Sequence, residues 1–178
     1  LCLGADSTFI ARTMDRDPKH QREILLKGSQ HVGTSMIEIY QNCNVFNDGA
    51  FEVYTDKGTK AEEVLILEQG QPLVFGADND KGIILDGSTP KVVQLSEVSP
   101  DDLWIHDEAD KFKAQLLTSF FDDPSKEDHL PRPFGVFYAE ERYRYEEAME
   151  EQIQSVTEAK GKGNLDDLLR GKNVWEVK

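Results

Sequence analysis

Cysteine is scarce in this chain: Cys2 and Cys43 are the only two in 178 residues. That excludes a disulfide framework and suits a reducing compartment, so a cytoplasmic protein is expected. Long apolar runs are missing too. None approaches the ~20 residues that span a bilayer, and no signal peptide is visible, so membrane is not an expected partner. Cations are in deficit, with 20 Lys and Arg against 34 Asp and Glu and a formal net charge of −14. A surface of that sign repels phosphate, which argues against nucleic acid and anionic lipid. There is no Walker A loop, GxGxxG, HExxH or GxSxG, no internal repeat and no low-complexity stretch. The hydrophobic fraction of 38% still supports a core for one domain, or one domain with an appendage.

The first quarter reads as α/β. Ser7–Arg12 (STFIAR) is a strand candidate, rich in β-branched and aromatic residues. Asp17-Pro18 is a helix start, with Asp17 as cap and Pro18 at the first helical position. KHQREILLKGSQHV follows as a helix with Ile24, Leu25 and Gly28 inward, ended by Gly33, and TSMIEIYQN is a second strand. Strand, helix and strand in so short a span form a βαβ unit with parallel strands. The middle is β-rich. FEVYTDKG, EEVLILEQGQPLVFGADNDKGIILDG and PKVVQLSEV are punctuated by Gly58, Gly70, Gly76, Gly82 and Gly87, which predicts antiparallel hairpins. A helix with Phe112, Leu116, Leu117 and Phe120 on its inner face comes next, then a Pro-rich loop, LPRPFGVFYAEERYRY. The tail is helical. Tyr145, Met149, Ile153 and Val156 make a narrow stripe, GKG breaks the helix, and NLDDLLRG restarts it between Asn164 and Gly171. The expected divisions are residues 1–49, a β-rich region 50–138, and a helical tail 139–178.

Cys43 is the candidate for chemistry. It lies just past the carboxyl end of a parallel strand, in EIYQNCNVFND, and ligands of open α/β sheets bind outside those ends. A buried structural thiol is the plainer reading. A thiol enzyme is another, and it requires His20, His31, His106 or His129 within hydrogen-bond reach of Cys43. The acid pairs Asp101-Asp102, Asp122-Asp123 and Glu140-Glu141 are explained by helix capping and dipole effects. AEERYRYEEA reads as a charged helix face.

The stretch LGADSTFIARTMDRDPKHQREILLKGSQHVGTSMIEIYQNCNVFNDGAF resembles the second half of the β subunit of 2-oxoacid:ferredoxin oxidoreductases, the 2-oxoglutarate type most closely. IEIYQNCNVFNDGAF is the most specific part. PLVFGADNDKGIILDG, PRPFGVFYAEERYRYEEA and LDDLLRGKNVWEV resemble that subunit's carboxy-terminal extension. The resemblance implies the carboxy-terminal part of a thiamine pyrophosphate-binding fold, followed by β-hairpins and a helical extension. It implies an enzyme that decarboxylates a 2-oxoacid, passes the acyl group to coenzyme A and reduces ferredoxin. An α subunit is the implied partner, in an oligomeric, cytoplasmic enzyme. In such subunits a [4Fe–4S] cluster is held by four cysteines, and Cys43 matches the fourth. Asn42 and Asn44 would neighbour the cluster and donate hydrogen bonds to its sulfurs.

The family's magnesium–diphosphate motif and its other cluster cysteines have no counterpart in this sequence; the resemblance implies that they belong to a half expected to precede Leu1. The sequence also opens without methionine and reads like the interior of a longer protein. The expectation is therefore a fragment that binds no thiamine pyrophosphate, magnesium or [4Fe–4S] cluster by itself and turns over no substrate alone. Two alternatives remain from the sequence: a non-catalytic subunit-interaction module, or an enzyme specific for pyruvate or a branched-chain 2-oxoacid.

Overall fold

A computed structural model describes the chain apart from residues 122, 127, 128, 173, 174 and 176–178. Residues Leu1–Arg142 form one compact unit and Tyr143–Lys178 a second. The first begins with the expected βαβ unit: β1 (Phe9–Met14), α1 (Pro18–Gln30) and β2 (Ser35–Tyr40). The two strands pair in parallel, from Phe9 opposite Ser35 to Met14 opposite Tyr40. Asp17 caps α1, its carboxylate accepting from the His20 amide at 3.1 Å, with Pro18 at the first position. Ile24 and Gly28, one turn apart, are the buried positions of α1, whereas Leu25 is exposed. The seam is that narrow because α1 lies close on the sheet: a Cβ at Gly28 would meet Ile37 Cδ1 at 2.7 Å. The helix ends at Gln30, and Gly33 lies beyond it in the turn to β2.

The remaining elements are α2 (Lys60–Glu63), β3 (Val64–Leu67), β4 (Val74–Phe75), β5 (Lys81–Asp86), β6 (Thr89–Gln94), α3 (Lys111–Thr118) and β7 (Arg132–Ala139). β4, β5 and β6 form the expected antiparallel hairpins. β3 and β7 do not join them. They extend the first sheet, in the order β2-β1-β7-β3, so strands from both sides of residue 49 share one sheet.

The stretch read as a Pro-rich loop is a strand buried along all but its two end residues. In β7, Phe134, Val136, Phe137 and Tyr138 are all buried. Pro133 is tolerated because β1 pairs with β7 only from Gly135 onward, leaving β3 alone beside it. Burial on both faces replaces the alternating pattern of a surface strand with a continuous apolar run. FEVYTDKG, expected to be extended, forms instead a short 3-10 turn at Glu52–Tyr54. Its aromatic residues are drawn onto Tyr40: Phe51 stacks on that ring at 4.3 Å and Tyr54 lies 6.2 Å away. In α3, capped by Asp110, Leu117 is buried with Ala114, and Phe120 is buried just past the helix. Phe112 is exposed, because it shares the first turn with the cap and faces away from the core. AEERYRYEEA is not one helix face, since residues 140–144 are not helical. Arg142 instead pairs with Asp6 and Glu140.

One face of the sheet packs on α1 through Phe9, Ala11, Ile24 and Val136. The main core joins Ile10, Leu65 and Phe137 to α3 and to Leu73, Ile83 and Trp104 around the hairpins. The second unit comprises α4 (Tyr145–Lys160) and α5 (Leu165–Arg170). Glu147 closes the start of α4 on the Arg144 amide, Gly161 ends it at φ +80°, and Asn164 caps α5. Neither helix has a buried residue, so Tyr145, Met149, Ile153 and Val156 are an exposed stripe. Most of the terminal NVWEVK lies outside the described residues.

Candidate functional site

Because β1 and β2 are parallel, the residues that follow them emerge at the same end of the sheet. The Asp15 amide donates to the Tyr40 carbonyl at 2.9 Å, and the Asn42 amide donates to the Asp15 carboxylate at 3.3 Å. Residues 41–51 then fold into a tight loop. The Asn47 amide donates to the Cys43 carbonyl at 3.0 Å, and Gly49, at φ +77°, reverses the chain. The Asn42 side chain ties the loop together. Its Nδ2 donates to Asn44 Oδ1 (2.8 Å) and Asp48 Oδ1 (3.0 Å), and its Oδ1 accepts from the Gly49 amide (2.9 Å).

Cys43 is half-buried at the centre of this loop. The backbone N–H of Phe46 above all, then that of Val45, with a smaller part from Asn47, holds the Cys43 thiol below its ordinary value. Hydrogen bonds to the ionised form favour it. The Val45 and Phe46 side chains are exposed, leaving two apolar groups beside the thiol. This suits a thiol that ligates a metal or attacks an electrophile.

The histidines are held elsewhere. His20 bonds Thr13 Oγ1 at 2.9 Å, and His31 bonds Thr8 Oγ1 at 2.9 Å, toward the other end of β1. His106 is buried against the Val136 carbonyl, and His129 bonds Glu63 at 2.7 Å. The groups acting on the Cys43 thiol are backbone amides, so a Cys-His hydrolase pair is not assembled. Cys2 packs against the main core. Among the described residues no three His, Cys, Asp or Glu side chains are gathered as a metal would require.

A cavity of about 540 Å³ opens beside the loop, lined among others by Asp15, Arg16, Asn42, Asp48, Phe51 and Glu52. Carboxylates outnumber cations on its wall, so it favours cationic or neutral hydrogen-bonding groups over anions.

No family model matches the chain. Over 99% of its length it is 32% identical to the 2-oxoglutarate oxidoreductase subunit KorB of Mycobacterium tuberculosis, covering 47% of that subunit. Over 32% of its length it is 39% identical to the 2-oxoacid:ferredoxin oxidoreductase subunit beta of Saccharolobus solfataricus, covering 19% of it. The chain is a relative of 2-oxoacid oxidoreductase β subunits. It spans about half the length of the KorB subunit, matched from end to end of the chain.

Set against the iron–sulfur cluster that such a β subunit is expected to carry, the loop fits one corner. It offers one thiol, held toward thiolate, with N–H groups of the kind that hydrogen-bond cluster sulfur. It does not supply the other three ligands. Asn42 and Asn44 flank Cys43 in the chain, and the side-chain amide hydrogens of Asn42 are engaged within the loop, where they set its shape. Sequence reasoning passed over the amides of Val45, Phe46 and Asn47, because backbone donors carry no residue-type signature. The turn sequence Asn47-Asp48-Gly49 was the available signal.

Proposed function

We propose that this chain is the portion of a 2-oxoacid:ferredoxin oxidoreductase β subunit that supplies one thiolate, Cys43, to a [4Fe–4S] cluster. The observation carrying the proposal is the Cys43 thiol itself, just past the carboxyl end of a parallel strand and held toward thiolate by the amides of Phe46, Val45 and Asn47. Such a cluster, when bound, accepts and passes on single electrons. Cys43 would hold it at one corner, the three amides would tune its potential, and Asn42 would keep the loop in the shape that aims them. Val45 and Phe46 would exclude water on the exposed side.

The fold supports this reading. β2 is an edge strand of its sheet, with Met36 and Ile37 half-buried and Ile39 exposed. An upstream half, carrying the remaining cysteines and the site for magnesium and thiamine pyrophosphate, would continue the sheet from that edge. The finer assignments follow from the resemblance and from the names of the relatives. The substrate is 2-oxoglutarate, with pyruvate or a branched-chain 2-oxoacid as the competing specificity. An α subunit, coenzyme A and ferredoxin are the partners, and the 178-residue chain alone is inactive.

The test is a β subunit carrying this chain behind the upstream half of its relatives, prepared without oxygen. Cys43→Ala is expected to remove the paramagnetic resonance signal of the reduced cluster, whereas Cys2→Ala leaves it unchanged. An intact signal in Cys43→Ala would sink the assignment.

A further inference from the structure

Arg132 is the first residue of β7 and is half-buried. Arg12, Arg142 and Arg144 each have a carboxylate partner, but among the described residues no carboxylate lies within ion-pair distance of Arg132. Its hydrogen bonds go to two phenols. Nη1 donates to Tyr40 Oη at 3.3 Å and Nη2 to Tyr54 Oη at 3.1 Å. In a chain with 14 more acidic than basic residues, a half-buried guanidinium resting on two neutral acceptors is unusual.

The phenols matter as donors. Each oxygen accepts from Arg132, so each keeps its own O–H hydrogen, and neither hydrogen has an acceptor among the described residues. Both tyrosines are nearly buried, 8% and 6% exposed, so the phenol oxygens are held in place by the rings that carry them. Ring packing fixes them: Tyr40 is stacked on Phe51 at 4.3 Å and set edge-on to Phe134 at 5.4 Å. The Arg132 guanidinium is itself held under the exposed ring of Phe121, 4.4 Å from its centroid, and 5.4 Å from that of Tyr54. A guanidinium and two phenol O–H donors therefore converge, and no acceptor for the O–H groups lies among the described residues.

We infer that Arg132, Tyr40 and Tyr54 form a binding site for a small oxyanion, a carboxylate or a phosphate. The guanidinium supplies the charge and its unused N–H groups, and the two phenols supply neutral donors on either side. The site lies at the functional end of the sheet. Tyr40 ends β2 three residues before Cys43, and β7 runs antiparallel to β1, so its first residue sits at that same end. It complements the acidic cavity, whose carboxylates repel what Arg132 attracts. The inference does not depend on the cluster assignment.

The experiment is calorimetric titration of the 178-residue chain with phosphate, succinate and 2-oxoglutarate separately, at constant ionic strength, alongside the tyrosine ultraviolet difference spectrum. Saturable binding of at least one anion is expected, with dissociation constants on the order of millimolar and a tyrosine signal. Arg132→Lys keeps the charge but loses the fork, and is expected to weaken binding about tenfold. Tyr54→Phe keeps the ring and removes one donor, with a similar loss, and serves if the arginine variant does not fold. Binding of phosphate alone assigns a phosphoryl group, and binding of the dicarboxylates assigns a carboxylate. Absence of saturable binding to all three, as when a carboxylate of the chain itself neutralises Arg132, overturns the inference. So does binding that both variants leave unchanged.

Discussion

His106 Nε2 lies 2.8 Å from the carbonyl oxygen of Val136, and its other ring nitrogen, Nδ1, is buried with no hydrogen-bond partner among the described residues. Nε2 therefore carries the proton and donates to the carbonyl. A second proton would have to sit on Nδ1, where nothing receives it. Burial accordingly pushes the His106 pKa down from its ordinary 6.5, and burial does the same to His20. With a depressed folded pKa, the unfolded chain binds more protons in the window below 6.5, so stability falls as pH drops through it. Each such histidine contributes a slope of up to about 1.4 kcal/mol per pH unit. Denaturation midpoints measured between pH 7 and 5 are expected to decline, and His106→Gln is expected to flatten the decline while His20 leaves a remainder. A slope unchanged in that variant would contradict the assignment.

A second expectation concerns the centre of the sheet. Gly135 lies where β1 and β3 both flank β7, at φ +128°. A Cβ there would meet the Leu67 carbonyl oxygen at 2.7 Å and Leu67 Cβ at 2.9 Å. Neither backbone can retreat without breaking the ladder, so Gly135→Ala is expected to destabilise the chain by about 2–5 kcal/mol. Gly87 is the control. It has positive φ but open space around it, so Gly87→Ala is expected to lose only about 1–2 kcal/mol. Urea melts of the two variants should separate clearly.

The thiols should differ in reactivity. Cys43 is held below its ordinary pKa by loop amides, whereas Cys2 is packed against the core. Iodoacetamide is expected to modify Cys43 first at neutral pH, with a rate midpoint below the ordinary 9.0. Unfolding the chain in urea should erase the difference. Equal rates in the folded chain would show that the loop does not activate the thiol.

Asn42 should govern that loop without touching the sulfur. Asn42→Ala removes the side chain that joins Asn44, Asp48 and Gly49. The midpoint for Cys43 alkylation is expected to rise toward 9.0, because the amides around the sulfur are no longer held in place. Global stability is expected to fall by only about 1 kcal/mol, since the loop is largely exposed. Asn42→Asp keeps one acceptor for Gly49 and is expected to fall between the two.

Local signals were legible wherever the chemistry that sets them is local. Asp17-Pro18 announced α1, Asn164 and Gly171 bounded α5, and the turn glycines marked the β5–β6 hairpin. The place of Cys43 past a parallel strand followed from the βαβ spacing alone. Leu25 and Phe112 were misplaced because periodicity names a stripe but not its width, which depends on how closely the helix approaches the sheet. β7 was hidden behind Pro131 and Pro133, residues that argue against a strand until its neighbours are known.

By itself, then, the sequence determined the elements whose caps, turns and periods lie within a few residues of one another, and the likeness that singled out Cys43. Tertiary structure alone decided what required distant segments to meet. It brought β7 between β1 and β3, drew the Phe51–Tyr54 turn onto Tyr40, and set Arg132 against two tyrosines 78 and 92 residues away in the chain. The reason is physical. A cap or a turn is satisfied by the backbone next to it, whereas a buried strand or a half-buried guanidinium is stabilised only by partners that folding brings to it.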